Sequence, residues 1–291
     1  MSLKRWYISL ATAAPLVAIG ALTATHRLQL TLAWIGASLS LLAVPAAIGR
    51  YYVLPTARTT PRMPLLLGAA GLGLVLALVA SFRGEPAGVA VALALVGLAS
   101  ALAYVFWYSP LERVPGSALQ VDAALPPFDV ATVDGAAIDA RTLCDRPTVW
   151  IFFRGNWCPL CTAQIREAVR AYQSIESLGA RVALVSPQPQ RHTADLARRL
   201  RVRFEFLIDP QGRAAKALGI AHRGALPVGF EVLGYEADAV LPTVIVTDRA
   251  GVVRYLHETD SYRIRPAPEV WLQVLARIDE IQPPRPSSPP G

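Results

Sequence analysis

The sequence predicts an all-α membrane region of four helices followed by one α/β domain, in which a central mixed sheet carries helices on both faces. Three observations predict this class. Of the 291 residues, 53% are hydrophobic, and the excess is concentrated in the first hundred or so. The rest of the chain alternates between strand and helix patterns, which is typical of α/β domains. Two cysteines one helical turn apart, Cys158 and Cys161, follow an apolar stretch that is typical of a buried strand.

Four apolar segments in residues 1–108 are each close to the roughly 20 residues that a helix needs to cross a bilayer. The segments cover residues 6–24, 28–48, 65–82 and 87–108, and none contains Asp, Glu, Lys or Arg. The first is long for the apolar core of a signal peptide and is followed at once by the second, which favours an uncleaved anchor. We therefore expect an integral membrane protein of a bacterial inner membrane, in contact with the lipid bilayer.

Charge near the spans predicts the orientation, because Lys and Arg are retained in the cytoplasm. Five basic residues flank the spans on one side and two on the other. The five are Lys4, Arg5, Arg50, Arg58 and Arg62, and the two are Arg27 and Arg83. The amino end is therefore predicted inside, and four crossings return the chain to that side. The domain that follows is predicted to be cytoplasmic.

Composition also bears on two other function classes. No ionisable side chain lies within a predicted span, and all three cysteines follow the last span. Intramembrane polar groups usually mark transport, so the pattern favours anchoring or partner binding. The formal net charge is +7, but the basic residues form no cluster interleaved with aromatics. We therefore expect no nucleic-acid partner, and a solvated basic helix face explains the charge.

The elements of the α/β domain follow a short polar linker at residues 109–118 and occupy residues 119–281. Strands are predicted at residues 128–133, 148–153, 181–186, 204–208, 243–247 and 252–257. Helices are predicted at residues 140–144, 159–177, 193–200, 213–218 and 268–281. Gly179 suits the end of the second helix, and the turn at residues 248–251 joins the last two strands into a hairpin. The proline-rich end, residues 282–291, is predicted to be disordered.

The run Trp157-Cys-Pro-Leu-Cys161 is the layout of a redox dithiol. A thiolate is the reactive form of cysteine, and a thiol at a helix start is acidified by unpaired backbone N–H groups and the helix dipole. Cys158 has that position, Pro159 suits the first helical position, and Cys161 lies on the same face one turn later. We therefore predict Cys158 as the acidic, solvent-reachable nucleophile and Cys161 as the shielded, resolving thiol.

A structural zinc site is the alternative for this spacing, and it needs two more Cys or His ligands. The third cysteine, Cys144, has no paired partner, and His192, His222 and His257 are scattered singly. We therefore expect neither a metal nor a cofactor. Cys144 is predicted to be a small buried apolar side chain.

Three segments together resemble the alkyl hydroperoxide reductase/thiol-specific antioxidant (AhpC/TSA) family. They are Phe153-Arg-Gly-Asn-Trp-Cys-Pro-Leu-Cys161, residues 207–212 and residues 241–254. The resemblance covers about residues 119–281 and is closest to the peroxiredoxin-like branch with a Trp-Cys-Pro-x-Cys site. It implies a thioredoxin-like fold, in which Pro242 is cis and faces the redox cysteine.

Two positions depart from the family's pattern. Typical peroxiredoxins carry Thr or Ser three residues before the peroxidatic cysteine and an Arg at the foot of the late strand, which polarise the peroxide. This chain has Gly155 and Pro242 there. Arg154 is a candidate for a compensating charge, the alternative being a solvent-facing side chain. Peroxidase activity is therefore less expected than dithiol–disulfide exchange, which needs only the two cysteines, an acidified thiolate and the proline.

We interpret the chain as a membrane-anchored thiol–disulfide oxidoreductase in which Trp157 shields the dithiol. The expected partners are a protein disulfide or a peroxide as substrate and an external thiol reductant. Two alternatives stay open. One is a thiol peroxidase acting on alkyl or lipid hydroperoxides, and the other is a non-enzymatic, redox-sensing membrane adaptor.

Overall fold

The computed structural model describes residues 3–24, 31–54, 57–111, 113 and 118–281. The chain divides into two compact units. The first comprises residues 1–55, 59–111 and 227–229, and the second comprises residues 56–58, 112–226 and 230–291. Most of the predicted linker and the whole predicted tail, residues 282–291, lie outside the described residues.

The described helices of the first unit pack through small residues. They are α1 (Leu3–Ala24), α2 (Leu32–Leu41), α3 (Ala43–Val53), α4 (Pro64–Phe82) and α5 (Gly88–Ala103), which continues as a π-helical turn at Tyr104–Tyr108. A Cβ atom added to Gly36 of α2 would lie 2.8 Å from the backbone nitrogen of Ala77 in α4. The two backbones approach so closely only because glycine has no side chain there.

Two helices, Pro64–Phe82 and Gly88–Tyr108, are long and apolar enough to cross a membrane. The pair α2 and α3, bent by 56°, makes a third if it is one span. These helices correspond to the third, fourth and second predicted spans. The first predicted span lies in α1, which contains Pro15 and begins near Lys4 and Arg5, and α1 is not among the helices that qualify. Two or three of the four predicted spans are therefore supported.

The second unit is built around a seven-stranded mixed sheet, in the order β2-β1-β5-β4-β3-β8-β9. Its strands are β1 (Asp129–Thr132), β2 (Ala137–Asp139), β3 (Thr148–Phe152), β4 (Arg181–Ser186), β5 (Glu205–Ile208), β8 (Thr243–Thr247) and β9 (Val253–Glu258). Strands β3, β4 and β5 are parallel, and the other pairings are antiparallel. The short strands β6 (Ala221–His222) and β7 (Ala239–Val240) form a separate pair.

Five helices accompany this sheet, and together they confirm the predicted thioredoxin-like α/β class. They are α6 (Pro159–Arg170), α7 (Tyr172–Ser177), α8 (Gln190–Leu200), α9 (Arg213–Ala217) and α10 (Pro268–Ile281). The predicted helix at residues 159–177 is interrupted at Ala171, whose ψ of 0° departs from the helical value. Ile175, after the break, is buried in the core. Strands β2, β6 and β7 were not predicted, since each is only two or three residues long.

Strand β3 runs through the middle of the core and sets the position of the dithiol. All five of its residues are buried. Its last residue, Phe152, lies beside Val185 of the parallel strand β4 and Thr243 of the antiparallel strand β8. The loop that leads to Cys158 therefore begins at the carboxyl end of a buried central strand, where α/β sheets usually place their binding residues.

Candidate active site

The chain positions the two cysteines through a tight turn and the start of a helix. The backbone N–H of Cys158 donates to the carbonyl oxygen of Gly155 at 3.1 Å, which closes the turn after β3. Cys158 is the N-cap residue of α6, in extended conformation, and Pro159 takes the first helical position. The carbonyl oxygen of Cys158 accepts the first helical hydrogen bond, which the backbone N–H of Thr162 donates at 3.1 Å. Cys161 follows one turn later, as the spacing predicted.

Both thiols are free and buried, with exposed fractions of 1% for Cys158 and 0% for Cys161. The expectation that Cys158 reaches solvent is therefore wrong for this conformation. Sequence spacing placed Cys158 at the helix start but gave no view of the side chains that cover the start.

The two thiols are linked by a hydrogen bond, and this bond splits their pKa values. The bond to Cys161, together with burial, raises the pKa of Cys158 well above its usual range. Burial also raises the pKa of Cys161, but the bond from Cys158 and the charges of Arg265 and Arg154 outweigh it and lower the pKa to about 6. Within the pair, the hydrogen bond therefore favours the thiolate on Cys161, because the sulfur that accepts the bond gains the stabilisation. The roles of nucleophile and resolving thiol stay predictions.

Arg154 lies beside the dithiol and is 5% exposed, so the solvent-facing alternative is wrong. Its guanidinium donates to the carbonyl oxygen of Ala225 at 2.7 Å. The same group lies 4.7 Å from the ring centre of Trp157 and 5.6 Å from that of Tyr262, which are cation–π distances. Its backbone N–H also donates to the sulfur of Cys161. Arg154 therefore supplies a held, buried positive charge at the site.

Trp157 covers the turn before the dithiol. It is 9% exposed, and its ring lies 6.0 Å from that of Phe230. A Cβ atom added to Gly155 would lie 2.8 Å from Cδ1 and Nε1 of Trp157, and the φ of Gly155 is +143°. Glycine at this position is therefore needed both for the backbone conformation and for the place of the tryptophan ring.

A polar network that sequence reasoning missed holds the same turn from the side of α8. The backbone N–H of Asn156 donates to Oε1 of Gln188 at 2.9 Å, and the Asn156 amide donates to the carbonyl of His192 at 2.9 Å. Gln188 is 2% exposed and donates in turn to Thr193 at 3.1 Å. The signal in the sequence was a polar pair, Asn156 and Gln188, each a few residues after a buried strand.

Pro242 immediately precedes β8, whose Thr243 pairs with Phe152 at the end of β3. The structure thus places Pro242 beside the carboxyl end of β3, where the dithiol turn begins. The Leu241–Pro242 peptide bond is trans, so the implied cis bond is wrong. Three hydrogen bonds hold this segment. The Leu241 N–H donates to the carbonyl of Ile220 at 2.7 Å, Arg113 donates to the carbonyl of Pro242 at 2.8 Å, and the Thr243 hydroxyl donates to the carbonyl of Leu241 at 2.9 Å.

Arg265 is a second buried arginine near the dithiol, and the sequence reading missed it. It is 6% exposed and lies in the coil between β9 and α10. Its charge favours the thiolate form of both cysteines. The available signal was the short run Tyr262-Arg-Ile-Arg265, which has too many arginines for an apolar coil, but no spacing rule connects it to residue 158.

Cys144 lies apart from the dithiol, in the 3₁₀ helix Ala140–Asp145, and is 7% exposed as predicted for a small buried side chain. Burial raises its pKa. It lines a cavity of about 390 Å³ together with Leu125, Arg141 and Arg249. Within the described residues, no group of three His, Cys, Asp or Glu side chains has the arrangement of a metal site.

Comparisons with known proteins bear on the same region. Residues 121–256 match the model of the AhpC/TSA family. No curated protein matches the chain. Among solved structures, the chain is similar to the peroxidoxin BcpB of Mycobacterium tuberculosis, with 20% identity and a TM-score of 0.45 over 56% of this chain and 99% of that one.

Two further solved structures are similar over about the same part of the chain. A peroxiredoxin-like protein from Aquifex aeolicus has 16% identity and a TM-score of 0.47, over 56% of this chain and 90% of that one. Reduced Prx3 of Vibrio vulnificus, in complex with hydrogen peroxide, has 16% identity and a TM-score of 0.45, over 54% of this chain and 99% of that one.

The family match includes the dithiol turn, Arg154 and Pro242, and it spans the sheet from before β1 into β9. A thiol pair of which one member has a pKa near neutrality is the chemistry that such a domain requires. The match of residues 121–256, slightly less than half of the chain, to the AhpC/TSA family thus indicates a thiol-dependent oxidoreductase.

Proposed function

We propose that this protein is a membrane-anchored thiol–disulfide oxidoreductase that works through Cys158 and Cys161. The observation that carries the proposal is the pair itself. Two free, buried thiols share a hydrogen bond at the start of α6, beside the buried charge of Arg154. Such a pair is poised to exchange with a disulfide, since it offers a thiolate and a second thiol within reach.

The reaction that we propose has two steps. A thiolate of the dithiol attacks one sulfur of the substrate disulfide, forming a mixed disulfide and releasing the other substrate sulfur as a thiolate. The second cysteine then attacks the protein sulfur of the mixed disulfide. This step closes a Cys158–Cys161 disulfide and releases the reduced substrate, and two electrons from an external thiol reductant restore the dithiol.

We keep Cys158 as the attacking residue, although Cys161 has the lower pKa. The proton shared by the two sulfur atoms lies on a hydrogen bond, so its transfer to Cys161 gives a thiolate on Cys158. Cys158 ends the turn that Trp157 covers, whereas Cys161 lies one turn into α6. Displacement of Trp157 by an incoming substrate would therefore uncover Cys158 first.

A thiol peroxidase acting on alkyl or lipid hydroperoxides is the second candidate, and the AhpC/TSA match favours it. The thiolate would attack the peroxide, the O–O bond would break with release of an alcohol, and the resulting sulfenic acid would condense with the second thiol to a disulfide and water. Gly155 and Pro242 stand where peroxide-polarising residues are expected, which is the reason that we place this candidate second.

The membrane role in the proposal is supported by the two or three apolar helices that are long enough to cross a bilayer. The excess of Lys and Arg near the amino end supports a cytoplasmic dithiol. Reporter fusions after Gly291 test this orientation. A signal from a reporter active only in the periplasm would contradict it and would place the dithiol in an oxidising compartment.

The chemistry is tested with the purified full chain in detergent micelles. We expect it to reduce a protein disulfide when supplied with dithiothreitol, C158S to be inactive, and C161S to accumulate a mixed disulfide that mass spectrometry detects. Stopped-flow peroxide consumption is measured on the same samples. Fast peroxide consumption without disulfide reduction would favour the peroxidase, and the absence of both activities would favour the adaptor. C144S, with all of the dithiol intact, is the matched control.

A further inference from the structure

Gln188 is a buried amide between β4 and α8, and both polar atoms of its side chain are engaged. The residue is 2% exposed. Oε1 accepts the backbone N–H of Asn156 at 2.9 Å, and Nε2 donates to the hydroxyl of Thr193 at 3.1 Å. The backbone N–H of Gln188 donates to the hydroxyl of Ser186 at 3.2 Å. A buried amide is costly unless it is hydrogen-bonded, so these contacts hold the side chain in one orientation.

The group that Oε1 binds belongs to the turn that carries the dithiol. A backbone N–H can only donate, so the atom of the Gln188 amide that faces Asn156 is the oxygen. Within the turn, the N–H of Cys158 donates to the carbonyl of Gly155 at 3.1 Å. That bond uses only the first and last residues of the turn and leaves the N–H of Asn156 to be satisfied elsewhere. Gln188 satisfies it from another part of the chain.

Gly155 makes an outside restraint on this turn necessary. Its φ is +143°, and glycine has access to more backbone conformations than any other residue. Restraints on the residue that follows it therefore decide the path of the chain to Cys158. Asn156 has two of them, the bond from its backbone N–H to Gln188 and the bond from its side-chain amide to the carbonyl of His192, each 2.9 Å long.

We propose that Gln188 is a positioning residue for Cys158: through the backbone N–H of Asn156, it holds the dithiol turn in the conformation from which the thiol attacks. This inference rests on the proposed function, to which it adds a residue outside the Cys-x-x-Cys motif. A hydrogen bond that served the fold alone would change stability without changing the rate of attack. A positioning bond changes the rate of attack as well, and the two cases can be separated by experiment.

The central variant is Q188M, which keeps the length of the side chain and replaces the amide with a weakly accepting thioether. The full chain in detergent micelles is assayed for reduction of a protein disulfide with dithiothreitol as reductant. We expect kcat to fall about 10-fold or more and KM to stay within about twofold, because a misplaced thiol slows attack without weakening substrate binding. Q188E keeps an acceptor oxygen for Asn156, so its kcat should stay within about threefold of that of the unmodified chain.

Two threonine variants form a matched pair that separates positioning from stability. T193V removes the hydroxyl that accepts from Nε2 of Gln188, and T247V removes the hydroxyl that accepts from Nε1 of Trp150. Both threonines are buried, and both bonds are 3.1 Å long. Thr247 pairs with Thr148 at the start of β3, the end of that strand away from the dithiol turn. We expect a similar fall in Tm from both variants but a kcat lowered by about threefold or more in T193V alone.

Circular dichroism establishes which variants are folded. A folded Q188M whose kcat stays within about twofold of that of the unmodified chain would overturn the proposal. An equal loss of kcat in Q188E would also overturn it, since that variant keeps the acceptor. If Q188M does not fold, the threonine pair decides, and equal values of kcat in T193V and T247V would then overturn the proposal.

A measurement that needs no turnover distinguishes a failure of this inference from a failure of the proposed function. Cys158 is 1% exposed, so iodoacetamide reaches it when the turn opens. Q188M should raise the rate of Cys158 alkylation about fivefold, the effect of one lost hydrogen bond on a local opening equilibrium, and T247V should not.

Tandem mass spectrometry distinguishes labelled Cys158 from labelled Cys161. If the unmodified chain reduces no disulfide, the proposed function fails and alkylation decides this inference. A raised rate in Q188M alone would then support the role of Gln188 in holding the turn, and an unchanged rate in a folded Q188M would overturn it.

Discussion

The molecule contains two regions in which cysteine is buried, and they differ in almost everything but burial. Cys158 and Cys161 are 1% and 0% exposed, and Cys144 is 7% exposed. Yet the pKa of Cys161 falls to about 6, whereas burial raises that of Cys144. Exclusion from water alone would raise every one of these values. Burial therefore does not decide which thiol is reactive.

The two regions differ in the partners of the thiols: the hydrogen bond from Cys158 lowers the pKa of Cys161, and the charges of Arg265 and Arg154 add to that effect. Arg181 acts on Cys144, but it forms ion pairs with Asp145 and Glu205, so its charge is already compensated. Arg265 has no ion pair among the described residues and acts on both thiols of the dithiol. Nearby positive charge and a donated hydrogen bond both favour a thiolate, whereas burial opposes it.

The largest expected difference between the two regions is in turnover. Replacing either dithiol residue, as C158S or C161S, should lower the rate of protein-disulfide reduction by more than about 1000-fold, since removing a reacting group of a catalytic unit has effects of that order or larger. C144A should stay within about twofold of the unmodified chain. The rate is measured on the full chain with dithiothreitol as reductant. A comparable loss in C144A would mean that the third thiol takes part.

The next effect concerns reactivity at neutral pH. With a pKa of about 6, Cys161 is mostly thiolate at pH 7, and the rate of alkylation should fall as the pH drops below that value. Cys144, with a pKa raised above 9.0, is almost entirely protonated. The dithiol should therefore be alkylated at pH 7 about 100-fold faster than Cys144, because only the thiolate reacts.

Peptide mapping after brief exposure to iodoacetamide measures this ratio in a single sample. Unfolding the chain in urea should bring the two rates together, which controls for the intrinsic reactivity of the reagent. Equal rates in the folded chain would contradict the difference in charge environment between the two regions.

A smaller effect is expected from the turn that carries the dithiol. In G155A, the new Cβ would lie 2.8 Å from the Trp157 ring on a backbone with a φ of +143°, so the ring must move. We expect a loss of turnover of about 10- to 100-fold, the range caused by misplacing a reacting group by about 1 Å. Stopped-flow reduction assays on the reduced full chain measure it.

Gly179 provides the matched control for this substitution. Its φ of +64° makes alanine unfavourable there as well, but the nearest atom to an added Cβ is a side-chain nitrogen of Arg249 at 3.8 Å. G179A should therefore lower stability by about 1 kcal/mol or somewhat more without lowering turnover. Equal losses of turnover in G155A and G179A would show that backbone strain, and not the position of Trp157, is responsible.

These two thiol regions also show how far the sequence could be interpreted. The dithiol turn could be predicted because its signals lie in neighbouring residues. They are an apolar strand, a proline at the first helical position and two cysteines one turn apart, and together they predict where β3 ends and α6 begins. The packing beside the turn is not local, since the ring of Trp157 lies against that of Phe230, far later along the chain. Phe230 follows a stretch without clear periodicity, so its contact with Trp157 could not be predicted.

Arg265 illustrates the same limit in electrostatics. Its charge acts on both thiols from the coil after β9, far later along the chain, and no sequence spacing encodes that effect. The resemblance to the AhpC/TSA family implied a cis bond before Pro242, whereas the bond is trans. The neighbouring residues carry no signal for either isomer, so the trans bond could not be predicted.

The smallest expected effect is the loss of stability that follows replacement of Cys144. C144A removes a buried sulfur next to Gly251, so it should lower the free energy of unfolding by about 1 kcal/mol, as small deletions in a core do. For a domain of this size, that loss corresponds to a Tm lower by about 2–4 °C, measured by circular dichroism. Turnover should not change.

The pH dependence of this small effect has a definite sign. Cys144 is held neutral in the folded chain, since burial raises its pKa above the unfolded value of 9.0. The unfolded chain therefore releases this proton first as the pH rises, and the contribution to stability is present below pH 9 and declines above it. C144A cannot titrate, so its deficit relative to the unmodified chain should shrink as the pH rises above 9. A deficit that grows with pH would mean that Arg181 stabilises a Cys144 thiolate, and the contrast between the two thiol regions would then fail.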